Sequence, residues 1–220
     1  MTVRVLRAER RAATPWKNGG GLTREIAAAP EGADMADFAW RVSLADVARG
    51  GPFSRFEEVD RVITLVEGPG MVLTVDGSPH PVAEPYVPFA FPGDAETDCR
   101  LLGGPLVDFN VMTRRGRAAA RVEIVRGRLA LPAPPAAPVL LVVVLEGSAV
   151  LEGVGTRLGR LDAALCTGAR DEVLAVEGVA ALVALSGTAA EVQEPSCCYQ
   201  VRTEPGELRL KRRHLTERRE

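Results

Sequence analysis

Val62-Ile63-Thr64-Leu65-Val66-Glu67-Gly68 recurs in outline as Leu141-Val142-Val143-Val144-Leu145-Glu146-Gly147. In each copy an apolar run ends in Glu-Gly, and a second apolar segment follows after two further residues, Met71-Val72-Leu73 in one and Val150-Leu151 in the other. Short runs of this composition fit buried strands, and a glycine at the end supplies the turn of a hairpin. The two Glu-Gly pairs stand about 80 residues apart, a spacing that suits a duplicated small β domain, although two unrelated hairpins would read alike. The proline-dense segment Leu131-Pro132-Ala133-Pro134-Pro135-Ala136-Ala137-Pro138 has the stiffness of a connector between two such halves.

Working outward, the remaining segments are short, rich in Val and Leu, and punctuated by Gly, Pro and Asp, with almost no sustained 3.6-residue periodicity. Candidate strands include Arg4 to Leu6, Thr23 to Ala28, Phe38 to Leu44, Met71 to Val75, Val107 to Met112 and Ala180 to Ser186. One helical turn is expected around Leu44 to Ala48. The fold class is therefore all-β, of the barrel or sandwich kind.

Composition excludes several functions. Lys plus Arg number 27 against 29 Asp plus Glu, so the clustered positive charge that holds nucleic acid is missing. Only the stretch from Lys211 to Glu220 is basic. His80 and His214 are far apart, and Cys99, Cys166, Cys197 and Cys198 form no CxxC pair, so neither a histidine centre nor a structural zinc site is expected. No cofactor is expected either. The longest apolar run, Val139 to Leu145, falls far short of the roughly 20 residues of a membrane helix. The N-terminal stretch, with Arg4, Arg7, Glu9, Arg10 and Arg11, lacks the form of a secretory signal. A soluble cytoplasmic protein with reduced thiols is the expectation.

Four stretches carry candidate chemistry. Pro15-Trp16-Lys17-Asn18-Gly19-Gly20-Gly21 sets a glycine run beside Lys17 and Asn18, which suits either a flexible turn or a backbone grip on an anion through groups such as the Gly20 N–H. Trp40-Arg41-Val42-Ser43 alternates, so Trp40 and Val42 face one way, Arg41 and Ser43 the other. Gly51-Pro52-Phe53-Ser54-Arg55-Phe56 precedes Asp60-Arg61 at the start of an apolar strand. Arg61 must there be paired with Asp60, solvated, or reserved for an anion that its planar fork can hold. In Asp108-Phe109-Asn110-Val111-Met112, alternation groups Asp108, Asn110 and Met112, lining either a polar cavity or the wet face of an edge strand.

In their order and spacing these motifs resemble the HutD/Ves family of bicupin proteins, associated with histidine utilisation. The matches are Pro15 to Gly21 with Thr23, Glu25 and Ile26; Phe38 with Trp40, Arg41 and Ser43; Gly51 to Ser54 with Phe56; Asp60-Arg61; and Asp108 to Met112 with Arg114. The likeness is strong from Thr2 to Arg117 and weaker to Ser186. Glu57-Glu58-Val59 departs from it, since the family tends to have a Pro-Gly turn there. The resemblance implies two tandem cupin-type jelly-roll β-barrels: residues 1–117 with the ligand site, residues 118–187 degenerate, and a charged tail at 188–220, mobile or weakly helical, with strands shared where the halves meet.

Under that resemblance the expected function is non-enzymatic binding of a small anionic carboxylate by a regulator in histidine utilisation, with urocanate, formiminoglutamate and formylglutamate as candidates. Arg61 would hold the carboxylate. Lys17, Asn18, Gly20, Ser43, Asp108 and Asn110 would assist, with Trp16, Trp40 and Phe53 as apolar walls. No nucleic acid or membrane partner is expected, and a homodimer is compatible with the sequence. A metal-free isomerase or hydrolase is the enzymatic alternative, with Glu25, Asp60, Asp108 or His80 as its acid or base; His80, between two prolines, reads as a loop residue. An interaction scaffold working through the tail is a third class.

Overall fold

The computed structural model describes residues 2–132, 139–168 and 171–187, together with the backbone of Cys197–Arg202 and Leu208–Arg209. Apart from one 3-10 turn at Ala8–Arg10, the elements are strands, arranged in three sheets that stay open at their edges. A six-stranded sheet runs in the order Ala13–Pro15, Gly21–Ala29, Trp40–Val47, Leu106–Arg114, Val59–Glu67, Pro88–Pro92. A four-stranded sheet runs Gly51–Pro52, Thr97–Leu101, Met71–Val75, Ser78–Val82. The eight-stranded sheet runs Thr2–Leu6, Ala163–Thr167, Val139–Leu151, Val173–Gly187, Ala118–Ala130, Cys197–Arg202, Leu208–Arg209, with Thr156–Leu158 beside Val139–Leu151.

The six-stranded sheet is the middle layer because both its faces are buried. Period-two alternation sends Trp40, Val42, Leu44, Val62, Phe109 and Val111 to one side, where they join Val122, Ile124, Leu141, Val143, Ala181 and Val183 of the eight-stranded sheet. Ala45, Val47, Ile63, Leu65 and Leu106 go to the other, against Met71, Leu73, Val75 and Cys99 of the four-stranded sheet. Each fully buried Leu, Ile, Val or Phe contributes about 1.5 to 3 kcal/mol of transfer free energy. Among the described residues no helix is long and apolar enough to cross a membrane.

Five expectations need correction. Leu44 to Val47 is strand, not helix, because it pairs on both sides, with Gly21 to Arg24 and with Leu106 to Phe109. Neither Glu-Gly closes a hairpin. At Gly68, with φ of 102°, the chain leaves the six-stranded sheet and enters the four-stranded one. At Gly147, with φ of 73°, the strand Val139–Leu151 continues through a bulge and bends, so that Leu140, Val142 and Val144 before it pack with Ala149 and Leu151 after it. Gly147 and Gly178 face each other there, and a Cβ on Gly147 would stand 1.9 Å from the Glu177 carbonyl oxygen. Both Glu-Gly pairs thus mark corners, which need the same residue as a hairpin.

The proline-dense segment does not join two separate sheets. Its residues 133–138 lie outside the described residues, but the strands on either side of it belong to one sheet. The chain passes from the six-stranded to the eight-stranded sheet through the short turn from Arg114 to Ala118. Thr2–Leu6 pairs with Ala163–Thr167, so this N-terminal strand belongs to the eight-stranded sheet. His80 lies in the strand Ser78–Val82, opposite Leu73, and its ring stands 5.0 Å from that of Phe89. Within the tail, Cys197–Arg202 and Leu208–Arg209 are strands; residues 188–196, 203–207 and 210–220 lie outside the described residues.

Candidate functional site

Where the six- and four-stranded sheets diverge, the interior opens into a cavity of about 560 Å³. Its floor is set by register across three strands. Arg41 and Arg61 flank Met112 in one row, Ser43 and Ile63 flank Asn110 in the next, and Ala45 and Leu65 flank Asp108 in the third. The rows lie roughly 7 Å apart, two residues along a strand. The mouth is formed by Thr14 to Asn18, Met35, and Pro52 to Ser54 with Phe56.

Arg61 is 6% exposed. Its guanidinium carbon lies 5.0 Å from the ring centres of Phe53 and Phe91 and 5.9 Å from that of Phe56, so an aromatic collar replaces water on its faces. Its Nε has no hydrogen-bond partner. Asp60, the adjacent carboxylate, instead meets Arg115 at 2.7 Å, which also takes Asp94 at 2.7 Å. Burial lowers the Arg61 pKa to about 10, against the opposing field of Asp108 and with a further push from Arg41. Arg61 still carries its charge at neutral pH.

Asp108 is 2% exposed and its Oδ1 is unpartnered. Burial raises its carboxyl to about 7, opposed by Arg61 and aided by Asp46. Beside it, Asn110 Oδ1 is unpartnered too. Arg41 differs from Arg61 in being neutralised, its Nε donating to Glu25 Oε2 at 2.7 Å. At the rim Trp16 Nε1 donates to Thr23 Oγ1 at 2.8 Å, which lays the indole over the sheet edge. Gly21 permits this: a Cβ there would stand 2.3 Å from the Asp46 carbonyl oxygen and 3.3 Å from the Trp16 ring.

Of the residues expected to form a site, Trp16, Lys17, Asn18, Ser43, Phe53, Arg61, Asp108 and Asn110 line this cavity. Two do not. Trp40 points away, into the core against the eight-stranded sheet, since a strand that delivers Ser43 to one face sends Trp40 to the other. Gly20 donates its N–H to Asn18 Oδ1 at 2.9 Å, and its carbonyl accepts from Ala48 and Arg49, so the glycine run is engaged in shaping its own loop. Arg41, Thr23, Met35 and Met112 line the cavity as well; alternation groups Arg41 with Ser43 and Met112 with Asn110, whereas Met35 carries no signal in the sequence. Glu25 and Asp60 are both held by arginines. Among the described residues no group of three or more His, Cys, Asp or Glu could hold a metal ion. Cys99 and Cys166 are buried, and burial pushes both thiols up to about 11, so they are inert at neutral pH.

Comparisons with known proteins take in both the cavity-bearing sheets and the eight-stranded one. The family model described as HutD matches residues 8–184. An uncharacterised 21.2 kDa protein from the hutC 3′ region of Pseudomonas putida is 42% identical over 121 residues, 55% of this chain and 63% of that protein. Protein Ves of Citrobacter koseri is 42% identical over 111 residues, 50% of this chain and 56% of its own; the match thus spans less than two thirds of either curated relative. Among solved structures, that of HutD from Pseudomonas fluorescens SBW25 in a formate condition superposes with a TM-score of 0.77 at 36% identity, covering 86% of this chain and 100% of that one. A cupin 2 conserved barrel domain protein from Leptotrichia buccalis superposes with a TM-score of 0.54 at 10% identity, over 86% of this chain and 98% of its own. The latter is a likeness of fold alone.

Proposed function

This chain belongs to the HutD family, and from that premise we propose that it is a non-enzymatic receptor for a small anionic carboxylate in histidine utilisation, acting in regulation. The observation that carries this is Arg61: a buried guanidinium, collared by three phenylalanines, with an unpartnered Nε beside an open cavity. An unpaired buried charge costs several kcal/mol, a cost that a carboxylate in two charge-assisted hydrogen bonds offsets. Each such bond is worth about 1.5 to 3 kcal/mol, and Lys17 at the mouth adds steering. The pathway is suggested by the relative in the hutC 3′ region. Urocanate, formiminoglutamate and formylglutamate are the compounds to titrate. Calorimetry should show salt-sensitive binding that Arg61→Ala weakens at least 100-fold, two hydrogen bonds' worth; equal affinity in that variant would refute the proposal.

The enzymatic alternative draws on one observation, a carboxyl near pKa 7 facing the same cavity. Asp108 would then be the acid or base of a metal-free isomerase or hydrolase. Turnover of any of these compounds by chelator-treated protein, lost in Asp108→Asn, would favour it. A bicupin organisation remains our reading too: the two Glu-Gly corners at Gly68 and Gly147, and two interiors set back to back across the six- and eight-stranded sheets, support a duplicated barrel.

A further inference from the structure

The cavity floor holds unsatisfied atoms of both polarities. Arg61 Nε is a donor without an acceptor; Asp108 Oδ1 and Asn110 Oδ1 are acceptors without donors. Thr64 Oγ1 and Thr113 Oγ1 are unpartnered as well, but strand alternation places them on the opposite face of the same sheet. The donor sits in the row of Met112, and the acceptors sit one and two rows further along, so the two polarities are laid out along one axis of the cavity. Asp108 and Asn110 both line it, and a turn about Cβ–Cγ exchanges the sealed oxygen of each with its partner atom at the wall.

A plain alkyl carboxylate would satisfy only the Arg61 end. Its chain would lie against the Asp108 and Asn110 oxygens and leave them desolvated and unpaired, an arrangement that proteins avoid. We propose that the ligand is a compact carboxylate carrying an N–H donor at its far end, of the imidazole, amidine or amide kind, whose N–H is accepted by Asn110 and Asp108 while Arg61 holds the carboxylate. This rests on the carboxylate site proposed above and adds the donor half of its specificity.

Two matched pairs of acids test it on the full chain by calorimetry. Urocanate is compared with trans-cinnamate, which keeps the planar acrylate and lacks the ring N–H. N-formylglutamate is compared with glutarate, which lacks the amide. The N–H member of at least one pair should bind ten-fold or more tightly than its mate. Asn110→Leu should shrink that ratio toward one, Asn110→Asp should keep it, and Arg61→Gln should weaken both members alike. The ratio in the unaltered protein stands even if Asn110→Leu fails to fold. Equal binding within both pairs, with Arg61→Gln weakening all four acids, overturns the donor inference and leaves the carboxylate site intact. Absence of binding by all four, or affinities unchanged in Arg61→Gln, overturns both.

Discussion

At the scale of single residues, Asp108 and Arg61 set the character of the cavity. The Asp108 carboxyl is raised to about 7 in the fold from an ordinary unfolded value near 3.9. The folded state therefore binds more protons than the unfolded one between about pH 4 and pH 7, and stability falls as pH rises through that window. Asp108→Asn removes this slope. Its thermal midpoint, compared with that of the unaltered protein, should gain steadily from pH 4 to pH 7.5; a constant difference would show that Asp108 is ionised throughout. The identity of these residues was legible in the sequence because charge at the head of an apolar strand is unusual, and alternation alone grouped Asp108 with Asn110. What could not be read was the pairing: Asp60 sits beside Arg61 in sequence yet turns to Arg115, which lies across the sheet edge. Trp40 lies outside the cavity because the alternation that turns Ser43 inward sends it to the other face of the sheet.

At the scale of elements, the turns carry the most information. Glu58, standing where the family tends to have Pro-Gly, has φ of 58°, a left-handed conformation that costs a side-chain-bearing residue about 1 kcal/mol. It is exposed, so Glu58→Gly should raise stability by up to about 1 kcal/mol in denaturant titration, and a loss would show that the side chain compensates. Gly147→Ala should cost several kcal/mol, because the added carbon meets the Glu177 carbonyl. Gly155, with φ of 65° and open space around it, is the control: Gly155→Ala should cost only the backbone term of about 1 to 2 kcal/mol. The strands themselves were legible from β-branched runs between Gly and Pro. Hairpin, corner and bulge were not, since each asks for a glycine with positive φ after an apolar run and they differ only in where the next strand finds its partner.

At the scale of the molecule, the middle sheet belongs to two interiors, one apolar against the eight-stranded sheet and one holding the cavity. Neither half can lose structure without exposing the other, so unfolding should be a single transition. Trp16 at the rim and Trp40 between the sheets are the two tryptophans. Variants retaining only one of them, made by Trp→Phe replacement of the other, should report the same denaturant midpoint; separate midpoints would mean that the halves unfold independently. The loan of Thr2–Leu6 to the strand Ala163–Thr167 also bears on synthesis. Thr2–Leu6 waits during synthesis for a partner about 160 residues downstream, roughly ten to thirty seconds at translation rates of 5 to 20 residues per second. During that interval the apolar side of the middle sheet is incompletely covered, so nascent chains stalled before residue 163 should be cleaved faster by added protease than chains stalled after residue 187.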